Sequence, residues 1–97
     1  MKEYTIAISN QAQNDYDNIF DYIAIRSLER AKSFTSKLLA KIKTLKKDAL
    51  RGTPDKPNHC RFIIEKPYLI YYDVDENTLG VEIVHIRHEK QAPFRRC

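Results

Sequence analysis

The stretch CRFIIEKPYLIYYDVDENTLGVEIVHIR, residues 60–87, decides the fold. It reads as three short strands in a row, CRFIIE, YLIYYDV and VEIVHIR, each rich in β-branched or aromatic residues. Lys66-Pro67 makes the first turn, because proline fixes φ and cannot donate to a ladder. Asp75-Glu76-Asn77-Thr78, followed by Gly80, makes the second. Links this short predict antiparallel neighbours, and so a three-stranded meander. Tyr68, Ile70 and Tyr72 are expected on one face of the middle strand, and Leu69, Tyr71 and Val74 on the other. Both faces therefore carry apolar groups and both need cover. Helices can supply one cover; a partner or a ligand groove is expected to supply the other.

Upstream of the meander, Tyr4 to Ile8 alternates weakly and predicts an opening strand that joins the sheet. Ser9 or Asn10 then caps a helix by accepting from an orphan amide, and Gln13, three residues after Asn10, suggests a partial capping box. The apolar positions Ala12, Tyr16, Ile19, Phe20 and Ile23 form one helical stripe directed at the sheet, while Asp15, Asn18 and Asp21 fall away from it. Ser27 is a plausible second cap. A new stripe follows, Ala31, Phe34, Leu38, Ile42 and Leu45, and so short a link predicts an antiparallel helical hairpin. The outer face of the second helix carries lysines, among them Lys32, Lys37, Lys41 and Lys43, which read as a solvated face or as a contact surface for phosphates. From Asp48 to His59, Gly52, Pro54, Pro57 and Asn58 break any period, so this segment reads as a surface loop. Pro93 closes the last strand region, and Arg95-Arg96 make a basic tip on a tail that is either mobile or docked. The predicted fold is α+β: an N-terminal strand, a helical hairpin and a three-stranded antiparallel meander, forming one small sheet packed on the two helices.

A chain of 97 residues accommodates one domain, 1–97, with a core large enough to stand without metal or disulfide support. Its net charge of +4 suits an anionic partner, such as nucleic acid or an acidic polypeptide. Cys60 and Cys97 show no framework spacing, and the N-terminus has no apolar run, so a reduced, cytoplasmic protein with no membrane segment is expected. His59, Cys60, His85 and His88 do not form a metal-ligand pattern, because His85-x-x-His88 on a strand splits across two faces. Neither metal nor cofactor is expected.

Taken together, AQNDYDNIFDYIA (12–24), AKSFTSKLLAKIKTL (31–45) and RFIIEKPYLIYYDVDENTLGVEIVHIRHEK (61–90) resemble the RelE/ParE superfamily of bacterial toxins from type II toxin–antitoxin modules. The more specific parts are Asp21 to Ala24, the Tyr68 to Tyr72 strand with Asp73 to Asp75 after it, and His88 just past the final strand. The resemblance implies an antitoxin partner that lays an amphipathic helix or an added strand over apolar surface, with a homodimer or a toxin–antitoxin hetero-oligomer as assembly. It also implies one of two targets. The RelE branch cleaves mRNA in the ribosomal A site and places an arginine directly after the tyrosine of the penultimate strand, where this chain has Leu69. That leucine and the His88 placement resemble the ParE branch, which poisons DNA gyrase without hydrolysis. The resemblance therefore implies a gyrase poison, with Lys37, Lys41, Arg87, Arg95 and Arg96 as target-binding candidates. The alternatives are a ribosome-dependent endoribonuclease, whose catalytic candidates are His88, Arg87, Lys90 and Arg61, and an inactive homologue that only binds antitoxin.

Overall fold

The structure is a computed structural model, and it describes residues 3–95. Two helices pack on one face of a five-stranded mixed sheet. The elements in chain order are β1 (Thr5–Ile8), α1 (Asn10–Ala24), α2 (Leu28–Lys43), β2 (Thr53–Asp55), β3 (Cys60–Glu65), β4 (Tyr68–Asp75) and β5 (Gly80–His88). The sheet order is β1-β5-β4-β3-β2.

The meander expected from residues 60–87 is present as β3, β4 and β5, antiparallel throughout. The opening strand joins this sheet as expected, and the sheet gains one strand more, β2. β1 joins it at the β5 edge, parallel, with Ile6 opposite Val81 and Ile8 opposite Ile83. A parallel pair needs a long crossover, and here the whole of α1 through β4 supplies it. The segment read as a plain loop also contributes β2, three residues paired with β3, followed by a 3₁₀ turn at Lys56–Asn58. Pro54 in β2 opposes Arg61 on an edge strand, where a missing N–H can face solvent.

Both helix starts follow from serine capping. Ser9 Oγ accepts from Ala12 N at 3.0 Å, and Ser27 Oγ accepts from Arg30 N at 3.2 Å. With Ser9 as the cap, Gln13 takes no part in a capping box; its side chain donates to Asp17 Oδ1 instead. The two apolar stripes meet the sheet as read: Ala12, Ile19, Leu38, Ile42 and Leu45 are buried with Ile63, Ile70, Tyr72 and Ile83 in one core.

The middle strand obeys its alternation throughout. Tyr68, Ile70, Tyr72 and Val74 face the helices and Tyr71 faces away, so Val74, expected beside Tyr71, keeps the parity of the even-numbered residues instead. Its partner is Val81, which is also in the core. The irregularity that changes faces lies in β5: Tyr71 pairs with His85 and Tyr72 with Ile83, so Val84 is the extra residue of a β-bulge. Before the bulge, odd-numbered residues of β5 face the core; after it, Ile86 and His88 do.

The face away from the helices finds part of its cover within the chain. Phe94 of the C-terminal tail lies 4.8 Å from the Tyr71 ring and 4.8 Å from the His85 ring, and its carbonyl accepts from Asn58 Nδ2 at 2.9 Å. Phe62 closes the cluster against Tyr71. The tail is therefore docked as far as Phe94.

Candidate functional site

The ends of the sheet carry different chemistry. At the start of β4, a groove of about 910 Å³ opens between α1, α2 and the free half of β5. Ile19, Tyr22, Ile23, Phe34 and Tyr68 form its apolar wall, and Asp15, His85 and His88 supply polar atoms. Tyr22 is 73 % exposed, and Ile25 and Leu28 continue the apolar surface round the α1–α2 turn at 84 % and 53 %. Large apolar side chains that exposed, contiguous with a groove, mark a contact surface. Burial raises the Tyr68 phenol above its ordinary pKa, and the neighbouring Tyr22 phenol adds to the shift.

Several backbone groups along the β5 rim of this groove are already hydrogen-bonded. β1 ends opposite Ile83, so the residues beyond it have no neighbouring strand. Ser9 nevertheless engages the carbonyls of Ile83 (from its N, 2.9 Å) and Val84 (from its Oγ, 3.2 Å). Ile86 N donates to Asp15 Oδ2 at 3.0 Å, and His88 N to Gln91 Oε1 at 2.7 Å. A strand arriving here would find these groups taken.

Asp15 is the residue that sequence reasoning placed on the wrong side. It belongs to α1 but reaches across to β5, where its Oδ2 accepts from His85 Nδ1 at 2.7 Å as well as from Ile86 N. The carboxylate has only acceptors to offer, so the imidazole proton on this side sits on Nδ1. The His85 ring stacks over Tyr71 at 25° and is packed by Phe94. No local pattern announces a contact between residues 70 apart that depends on the Val84 bulge.

The catalytic candidates do not assemble. His88 and Lys90 lie together at the end of β5, where His88 Nδ1 accepts from Lys90 N at 3.0 Å and the ring meets Tyr68 edge-on at 5.2 Å on the helix side. Arg87 points to the opposite face. Its Nε donates to Tyr71 Oη at 3.1 Å, and its Nη1 holds the carbonyls of His88 and Gln91, each at 3.1 Å. Its guanidinium thus clamps the turn after β5. Arg61 pairs with Tyr72 while His88 pairs with Tyr68, which separates them by about 13 Å along β4 and by two strands across. Arg61 is itself a clamp, donating to the carbonyls of Leu50 at 3.1 Å and Gly52 at 2.8 Å. Cleavage by 2′-hydroxyl attack needs a base, an acid and free cations on one face, and His88, Arg87 and Arg61 do not supply that set together. Leu69 sits opposite Arg87.

Of the target-binding candidates, Lys37 is exposed on α2, and Arg95 is exposed on the tail. Lys41 lies 3.9 Å from Glu65 Oε1. Arg96 and Cys97 lie outside the described residues, and Cys60 is buried at the start of β3. Among the described residues no cluster of three or more His, Cys, Asp or Glu could hold a metal, and no helix is long and apolar enough to cross a membrane.

The profile of the family described as "ParE toxin of type II toxin-antitoxin system, parDE" matches residues 6–93. This chain belongs to that family. The fold is also that of three solved toxin–antitoxin complexes. A chromosomal ParDE system from P. aeruginosa gives a TM-score of 0.75 at 20% identity, over 89% of this chain and 96% of that one. The RelBE2 complex from Mycobacterium tuberculosis gives 0.70 at 18% identity, over 91% and 93%. The intact E. coli RelBE complex gives 0.51 at 17% identity, over 91% and 99%. No curated protein sequence matches. At these identities the structures speak for the fold of this ParE-family chain, and both branches of the superfamily share it.

Proposed function

We propose that this ParE-family toxin poisons DNA gyrase in the bacterial cytoplasm, holding the enzyme on cleaved DNA without catalysing a reaction itself, and that a cognate antitoxin neutralises it. The observation that carries this reading is the dispersal of the cleavage candidates, with Arg87 and Arg61 both engaged on backbone carbonyls and Leu69 in place of a cation. Exposed positive charge for the target comes from Lys37, Arg95 and the rest of the α2 surface. The antitoxin seats in the groove beside Tyr22 and Tyr68. Because the β5 rim is already hydrogen-bonded, the seated segment is an amphipathic helix rather than an added strand.

One observation favours the second reading, a ribosome-dependent endoribonuclease: Asp15 orients His85 as a carboxylate orients the imidazole of a general base. A paired assay separates the two. Purified chain is given supercoiled plasmid with gyrase in one tube and programmed ribosomes with mRNA in the other. Linearised plasmid with intact mRNA is the expected result. Cut mRNA with untouched plasmid overturns it, and loss of that cutting in His85→Ala would then assign the base.

A further inference from the structure

The outward surface of α2 concentrates one sign of charge. From Arg30 to Lys47 every charged residue is a lysine or an arginine, whereas α1 carries Asp15, Asp17 and Asp21 and no basic residue at all. Of these cations only Lys41 has a carboxylate within 4.0 Å among the described residues, so the usual neutralisation by partners one helical turn away is missing. With 3.6 residues per turn, Lys32 and Lys43 fall in one row and Arg30, Lys37 and Lys41 in a second, roughly 140° further round the helix. Between the rows lie Ser33, Ser36 and Ala40, all exposed and all short, and, in the first turn, Glu29, the one acidic residue of α2. Past the helix end, Arg51 Nη1 donates to Thr44 Oγ1 at 2.7 Å and extends the basic surface.

The chemistry of this face selects its partner. Protein interfaces depend on buried aromatic or apolar anchors, and between the two rows there is none. Lysines with serine hydroxyls between them are instead the groups that hold sugar–phosphate backbones. The dimensions agree: a helix with its side chains is about 10–12 Å across, and the major groove of a duplex is about 12 Å wide, so two cation rows can reach phosphates on both of its rims. We infer that the outward face of α2 binds the sugar–phosphate backbone of double-stranded DNA. The inference rests on the gyrase reading for its choice of duplex DNA: the toxin would grip the DNA segment that the enzyme holds.

The test is fluorescence anisotropy of a short labelled DNA duplex of arbitrary sequence, titrated with the purified chain at several salt concentrations. Binding should weaken log-linearly with salt, by about 0.9 per phosphate contacted. Reversing three exposed charges together, Lys32→Glu, Lys37→Glu and Lys43→Glu, should lower duplex affinity by about tenfold or more at low salt. Lys66→Glu, exposed in the β3–β4 turn, should leave affinity within about twofold, as a single charge lying off this face. Circular dichroism of each variant checks that the fold is kept. Equal binding by the triple variant and the wild type overturns the inference, and so does a preference for single-stranded RNA over the duplex. The same proteins in the gyrase assay keep the two readings apart. Full plasmid trapping by the triple variant sinks the DNA face and leaves the gyrase reading intact. Charge-dependent duplex binding by a wild type that traps no plasmid leaves the face and sinks the gyrase reading.

Discussion

Asp15 Oδ2 lies 2.7 Å from His85 Nδ1 and 3.0 Å from Ile86 N, so one carboxylate oxygen of α1 closes the open edge of β5 just beyond its bulge. Removing it leaves a partly buried amide and an imidazole without their acceptor. Asp15→Ala should cost about 1–3 kcal/mol of folding stability by urea denaturation, as expected for orphaning a buried hydrogen-bonding group. Asp15→Asn should cost less, because an amide oxygen can still accept from Ile86 N. A double-mutant cycle with His85→Ala should return a coupling of about 0.5–3 kcal/mol, and additive losses would show that the hydrogen bond to His85 contributes nothing beyond the amide contact.

Tyr72 holds the segment after α2 in the same way from the other end of the sheet. Its buried hydroxyl donates to Ala49 O at 2.8 Å and accepts from Gly52 N at 2.9 Å. Tyr72→Phe should therefore lose about 1–3 kcal/mol while keeping the ring packed. Gly52→Ala should be at least as damaging, since an added Cβ would overlap the Tyr72 hydroxyl and crowd the Phe62 carbonyl, and buried overpacking costs about 1–3 kcal/mol. Unchanged urea midpoints in both variants would refute this anchoring role.

The meander and the helical hairpin were legible because their signals are local: alternation in Tyr68 to Tyr72, stripes ending in Ile23 and Leu45, and serines at the two helix starts. What escaped depends on contacts distant in sequence. β2 is three residues long and contains a proline, so it is a strand only because β3 lies beside it. Val74 faces the core by its even-numbered parity with Tyr68, Ile70 and Tyr72, while β5 changes face at Val84, and a bulge leaves no mark on an alternation as short as VEIVHIR. Asp15 read as a solvent-side residue because its partner comes from β5. Arg87 and Arg61 drew attention as free cations, yet their hydrogen bonds go to carbonyls of the chain's own turns.

Burial raises the phenol pKa of both Tyr68 and Tyr72, with the Tyr22 phenol as a second cause at Tyr68. The neutral phenols thus hold their protons more tightly folded than unfolded. Their contribution is fully present below the unfolded value of about 10 and is lost as pH rises through the folded values. Stability should therefore fall as the solution is made alkaline beyond about pH 10, and the slope should be shallower in Tyr72→Phe. Spectrophotometric titration of the phenolate band gives a second reading: Tyr68 and Tyr72 should ionise later in the folded than in the unfolded state, and Tyr72→Phe should remove part of that late rise. A single ionisation step for all six tyrosines in folded protein would contradict the burial argument.

The groove beside Tyr22 separates stability from binding. Tyr22 is 73 % exposed and Leu28 is 53 % exposed, so truncating either to alanine removes little buried area and should change folding stability by less than about 0.5 kcal/mol. If the groove receives the apolar stripe of an antitoxin helix, Tyr22 is an aromatic anchor of the kind whose loss costs about 2 kcal/mol or more of binding, roughly thirtyfold in Kd. Calorimetric titration of Tyr22→Ala with the cognate antitoxin should show that loss, with Leu28→Ala weaker in the same direction. Removing the polar side chain of Gln91 offers the opposite control. Gln91→Ala frees His88 N on the β5 rim, and a helix that binds by side chains should be indifferent to it. An antitoxin that bound more tightly to Gln91→Ala and equally to Tyr22→Ala would be pairing with the strand edge, and the groove would then be read as a β-addition site.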